Sequence, residues 1–195
     1  MYGIYANGAV IAQFVTPMSV RSNHPVFASD TLSLSRQVAR RAAQRWEIET
    51  KLEPLSYTAN ELFVDLVTKG YSEAVTIITP QNYGVITKRT TSGTPTATGT
   101  AGQNYITVAN HTGLMPKGTF IKVGTASKVY MTVTDRSGNG TVSVYPNLSA
   151  NISGTMYCRD DVIMTCFYDT DVVSGMIFTD GILMDMGTIR LVEFL

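Results

Sequence analysis

One stretch limits what this chain can become more than any other: Gln44-Arg45-Trp46-Glu47-Ile48-Glu49-Thr50-Lys51-Leu52-Glu53-Pro54-Leu55-Ser56. Within it Trp46, Ile48, Thr50 and Leu52 alternate with Glu47, Glu49 and Lys51. A period of two puts the first set on one face of a strand and the second on the other, so the stretch reads as a half-buried strand with a wet outer face. Trp46 is the only tryptophan, and its large apolar area marks the inner face as a core. Pro54 has no amide proton to give to a ladder and ends the strand.

The segments around it are short and mostly β. Thr58-Ala59-Asn60-Glu61 is a capping box, followed by Leu62, Phe63, Leu66 and Val67 at helical spacing and by Gly70; this predicts an amphipathic helix over 59–69. Asn7-Gly8 splits 2–16 into two strands. Residues 20–25 read as an irregular arm, and 36–45, with four arginines, as a strand running on into Trp46. Residues 74–79 and 83–88 read as two strands around Pro80-Gln81-Asn82.

Composition shifts after Arg89. Residues 90–102 are nearly all Thr, Ser, Gly, Ala and Pro, which predicts a loop or linker. Strands are expected at 105–108, 119–123, 128–134 and 141–145, with 136–140 as a hairpin turn, the spacing of a small β-barrel or sandwich. Residues 147–154 read as a loop and 157–167 as a strand returning to the main body. Strands at 172–178 and 182–186 flank Thr179-Asp180-Gly181, and 188–195 form the last strand. The expected fold class is therefore mainly β (α+β). A β-sandwich or barrel body over 1–89 and 158–195 holds one short helix, and a small β-barrel-like module is inserted at 90–157.

Hydrophobic residues make up 44% of the chain, enough for a core, while only 15% are charged, against about a quarter in an ordinary soluble protein. Fifteen acids balance fifteen bases. Such a surface lacks the repulsion that keeps monomers apart, which points to burial in an assembly. It also lacks the basic footprint of a specific nucleic-acid binder. No apolar run reaches membrane-spanning length, and the first twenty residues lack a basic start; the expectation is synthesis in a cytosol without a membrane partner. Cys158 and Cys166, expected in one strand on one face, are too far apart to bridge and read as reduced core residues.

The chemistry is quiet. His24 and His111 fall in loops, with no zinc-ligand spacing and no phosphate-loop, dinucleotide or nucleophile-elbow motif. Asp160, Asp161, Asp169 and Asp171 do not fit a calcium loop and read as exposed charges at strand ends. The expectation is no catalysis, no cofactor and no metal. Two other readings remain: a carbohydrate- or oligonucleotide-binding β module using Tyr105, Tyr130 and Tyr145, and an envelope hydrolase using His24 or His111.

Two groups of residues carry a resemblance. Gln44-Arg45-Trp46-Glu47-Ile48-Glu49, followed by Pro54 and a capped helix, resembles the body of tail-associated structural proteins of tailed bacteriophages. Gly118-Thr119-Phe120-Ile121-Lys122-Val123, Ser127-Lys128-Val129-Tyr130-Met131-Thr132-Val133-Thr134-Asp135 and Gly140-Thr141-Val142-Ser143-Val144-Tyr145-Pro146-Asn147-Leu148 resemble a module inserted in those proteins. The hairpin from Asp180-Gly181 to about Glu193 is similar to their closing hairpin. The chain departs from the pattern at Thr119, where an acid is usual, and residues 90–102 match nothing in it. The resemblance implies a virion structural protein of the tail, in the baseplate, distal tail or hub region, assembled in the host cytoplasm. It would form a ring-like homo-oligomer and contact the tube, baseplate or hub; a neck, collar or tail-tube protein is the near alternative. The interface residues expected on this reading are Arg36, Arg40, Arg41, Arg45, Glu47, Glu49, Phe194 and Leu195.

Overall fold

The computed structural model of the chain describes residues 2–6, 8–30, 36–40, 43–54, 64, 68, 73–169, 177–179, 183–185 and 188–195. Gly8, at a φ of 85° that only glycine adopts freely, turns β1 (Gly3–Ala6) into β2 (Ala9–Asn23). Then come β3 (Val26–Asp30), β4 (Arg36–Arg40), β5 (Arg45–Pro54), β6 (Val75–Ile78) and the six-residue helix α1 (Tyr83–Lys88). The middle of the chain adds β7 (Thr96–Gly99), β8 (Tyr105–Ala109), β9 (Leu114–Met115), β10 (Phe120–Val123), β11 (Tyr130–Thr132), β12 (Arg136–Ser137), β13 (Gly140–Tyr145) and β14 (Ile152–Tyr157). β15 (Ile163–Tyr168), β16 (Ile177–Thr179), β17 (Leu183–Asp185) and β18 (Thr188–Glu193) complete it.

The molecule is mainly β, and two sheets close into barrels. The first runs β1-β2-β5-β18-β15-β6 and the second β10-β11-β13-β8-β7-β14, antiparallel throughout. Closure leaves neither sheet with a free edge. β6 and β15 pair with each other across the first barrel, and every strand of the second barrel lies between them in sequence. Ile4, Ile11, Phe14, Ile48, Leu52, Ile77, Met164 and Leu191 fill the first core; Ile106, Val108, Ile121, Val142, Val144 and Met156 fill the second.

β5 is the strand that the alternation predicts. Trp46, Ile48, Thr50 and Leu52 are buried and Lys51 is exposed. Glu47 departs from that reading and is buried, for reasons given below. The predicted helix over 59–69 lies outside the described residues except for Val64 and Thr68; both are helical, with the Thr68 hydroxyl donating to the Val64 carbonyl at 2.6 Å.

Five local expectations are corrected. Residues 20–23 are not an irregular arm but the end of β2, paired Val20↔Ile48 through Asn23↔Arg45. The arginine-rich segment does not run into β5: β4 pairs with β3 in a separate two-stranded sheet. Residues 83–88 form α1 rather than a strand, because Asn82 Oδ1 accepts the Gly84 amide at 2.8 Å and caps a first turn. The linker read at 90–102 contains β7, whose Thr-Ala-Thr-Gly pairs with both β8 and β14. Finally, residues 136–140 are not a simple turn: β12 leaves to pair with β9 while β11 and β13 pair with each other.

The predicted strand over 157–167 is also broken. β14 ends at Tyr157 and β15 begins at Ile163, in different barrels. Cys158 therefore packs in the second core and Cys166 in the first, both as free thiols. Burial pushes the Cys158 thiol up to about 11 and the Cys166 thiol higher, so neither is a thiolate near neutral pH.

Candidate functional site

Polar residues that are unusual in a core gather where the two barrels meet. Glu193, at the end of β18, is 3% exposed, and Lys128, just before β11, is 4% exposed. The Glu193 carboxylate accepts from Lys128 Nζ, from the Val129 amide at 2.7 Å and from the Trp46 amide at 3.1 Å. Lys128 Nζ also donates to the Gln44 carbonyl at 2.8 Å. Burial pushes the carboxyl up and the ammonium down, each opposed by the other and, for Glu193, by the two amides. A charge pair this deep needs further hydrogen-bond partners, and here backbone from both barrels supplies them: the Gln44 carbonyl, the Trp46 amide and the Val129 amide.

Aromatic packing reinforces the same seam. Trp46 Nε1 donates to the Val129 carbonyl at 2.9 Å, and the indole meets Phe120 edge-on at 5.0 Å and Tyr145 at 6.1 Å. Gln81 acts as a mimic of backbone, donating to the Phe120 carbonyl at 2.9 Å and accepting its amide at 3.0 Å. Tyr145 OH lies 2.9 Å from Ser22 Oγ and 3.3 Å from His24 Nδ1. Lys122 Nζ reaches the Ile163 carbonyl at 2.9 Å, and burial pushes this ammonium down as well. Beside the seam lies a groove of about 490 Å³, whose lining combines apolar Trp46, Phe120 and Met131 with the charged Lys88, Lys117 and Asp135.

The described residues among the expected interface positions fall on β4, on β5 and at the end of the chain. Arg36 and Arg40 sit at the two ends of β4, and Arg41 lies outside the described residues. Arg45 is exposed at the start of β5 and 3.8 Å from Glu47. Glu47 is not on a wet face: Asn23 Nδ2 at 2.5 Å and Arg190 Nη2 at 2.6 Å cover its carboxylate from the two flanking strands. Burial alone would push this carboxyl up, but the Asn23 amide and the Arg190 guanidinium hold it below the ordinary carboxylate range. Glu49 is half-buried and pairs with Arg21 at 3.3 Å. Phe194 and Leu195 are exposed, with Phe194 edge-on to Phe167 at 5.0 Å.

The residues of the other readings are dispersed. Tyr130 is buried, with its hydroxyl 3.2 Å from Ser149; Tyr145 turns into the seam; Tyr105 is exposed and bonded to Gln103. They make no shared stacking face. His111 is buried, with Nδ1 at 3.0 Å from the Gly138 carbonyl and Nε2 at 3.1 Å from Thr91 Oγ1. Asp160 accepts from Tyr2 and pairs with Arg89; Asp161 caps the Arg159 amide; Asp169 pairs with Arg190; Asp171 lies outside the described residues. Among the described residues no three His, Cys, Asp or Glu side chains are placed to hold a metal, and no helix is long and apolar enough to cross a membrane.

Sequence reasoning missed Lys128, Glu193, Gln81 and Gln44 as a set. A lysine before an aromatic strand and a glutamate ending an apolar one are ordinary surface patterns, and their meeting across 65 positions leaves no local signal. No family model matches this chain, and no curated protein matches it either.

Proposed function

We propose that this chain is a non-enzymatic structural protein of the tail of a tailed bacteriophage, assembling with copies of itself in the baseplate, distal tail or hub region and contacting neighbouring tail proteins. The observation that carries the reading is where its family-like segments meet. Gln44 and Trp46 come from the first such segment, Phe120, Lys128, Val129 and Tyr145 from the second group, and Glu193 from the closing hairpin. All of them touch at the seam between the barrels. The buried Lys128–Glu193 pair thus ties the two barrels into one body, which suits a building block of an assembly.

The surface supports the same reading. Tyr83 on α1, Val133 beyond β11, and Phe194 with Leu195 expose large apolar side chains on a molecule with little charge. Apolar side chains exposed singly are ordinary; it is the low charge of the chain that suits burial against a neighbour. The test is antibody labelling of tailed particles, with the same antibody used on protein from purified virions. The reading expects label at one level of the tail and the intact chain among virion proteins; its absence from the particles overturns the assignment.

A further inference from the structure

The groove beside the seam lies where the first barrel, α1 and the second barrel meet. Its volume of about 490 Å³ falls within the range of about 300–1,000 Å³ typical of binding sites. The floor is apolar. The indole of Trp46 has its one polar atom tied to the Val129 carbonyl, so it offers the groove only apolar ring. Phe120 stands edge-on beside it, and Met131 adds a flexible side chain of the kind that adapts to varied partners.

The rim is basic. Lys88, in the last turn of α1, and Lys117, before β10, are exposed, and neither makes an ion pair among the described residues. Asn82 gives its side-chain oxygen to the Gly84 amide, which leaves its own amide protons for anything in the groove. The one carboxylate in the lining, Asp135, already accepts the Lys117 amide at 2.6 Å. An occupant that satisfies this lining brings apolar side chains for the floor and carboxylates for the rim.

We propose that the groove holds a short acidic and apolar segment of a neighbouring protein, with its apolar side chains against Trp46, Phe120 and Met131 and its carboxylates on Lys88 and Lys117. The proposal rests on the reading of the chain as a subunit that contacts other tail proteins, and it names the surface and chemistry of one such contact. A second copy of the chain is the poorer match. Of the described acids, Glu47, Glu49, Asp160, Asp169 and Glu193 are already paired with an arginine or lysine. The floor supplies attachment, and the two ammoniums select an acidic segment over a basic one.

Trp46 is the only tryptophan, so its emission reports what enters the groove. The experiment titrates the full chain with a short synthetic peptide alternating leucine with glutamate, and with its counterpart alternating leucine with lysine. The glutamate peptide shifts the emission saturably, more weakly at high salt, and the lysine peptide does not. The exchange K88E/K117E weakens binding about ten-fold, whereas Lys51→Glu, on a different surface of the first barrel, leaves it unchanged; all three proteins melt at the same temperature. No saturable shift with the glutamate peptide, an equal shift with the lysine peptide, or wild-type binding by K88E/K117E overturns the proposal. Emission that changes with protein concentration alone, and no longer does so in K88E/K117E, puts a second copy in the groove and overturns the choice of occupant. Each of these outcomes leaves the tail assignment standing, which labelling of the particles tests separately.

Discussion

Glu193 and Lys128 show how much depends on single side chains here. Replacing one member of a buried pair strands the other charge in a place water does not reach, at a cost of about 3–5 kcal/mol. Glu193→Gln is therefore expected to lower the denaturant midpoint strongly, because it leaves the Lys128 ammonium buried without its carboxylate, whereas the joint change Lys128→Met with Glu193→Gln removes both charges and keeps an acceptor at residue 193 for the Trp46 and Val129 amides, and costs less; denaturation of the wild type and the two variants measures the difference. Glu47 has a different signature. Its folded pKa lies below that of the unfolded chain, so the unfolded state binds more protons in acid. The stability it contributes is complete above the unfolded value of about 4.3 and disappears as pH falls through the folded value. Glu47→Gln should flatten this acid limb in melting curves taken across that range, while a wild-type slope in the variant would place the effect elsewhere.

Strands and turns divide by how local their causes are. The alternation of Trp46 to Leu52 was legible because a half-buried strand needs only its own period of two. The inward face followed from the residues themselves, but the burial of Glu47 did not, since Asn23 and Arg190 reach it from strands about 24 and 143 positions away. Tyr83-Gly84-Val85-Ile86-Thr87 reads as strand by propensity, with aromatic and β-branched residues. The Asn82 cap overrides that preference, and Asn82→Ala should cost about 1 kcal/mol, read as a small fall in melting temperature with the barrels intact. β7 was hidden for the opposite reason. Its small residues are what a crowded barrel wall admits: a Cβ on Gly99 would stand 2.5 Å from Leu148 Cδ1, yet the same composition in isolation describes a linker.

At the scale of the whole molecule the barrels share more than a connection. Phe120 and Val129, from the second barrel, belong to the core of the first, and the Gln81–Phe120 and Trp46–Val129 bonds continue the backbone network across the seam. The mainly β class was readable from short alternating runs with turn residues between them. The seam was not, because its bonds join residues far apart in sequence, such as Lys128 with Glu193 and Trp46 with Val129, and nothing in either local pattern marks them. On the proposed reading a body joined this way enters a ring of copies as one unit. Electron microscopy of the purified chain at increasing concentration tests it most directly. Closed rings of one size, built from whole two-barrel subunits, are expected; isolated monomers with no ring at any concentration would contradict the proposed assembly.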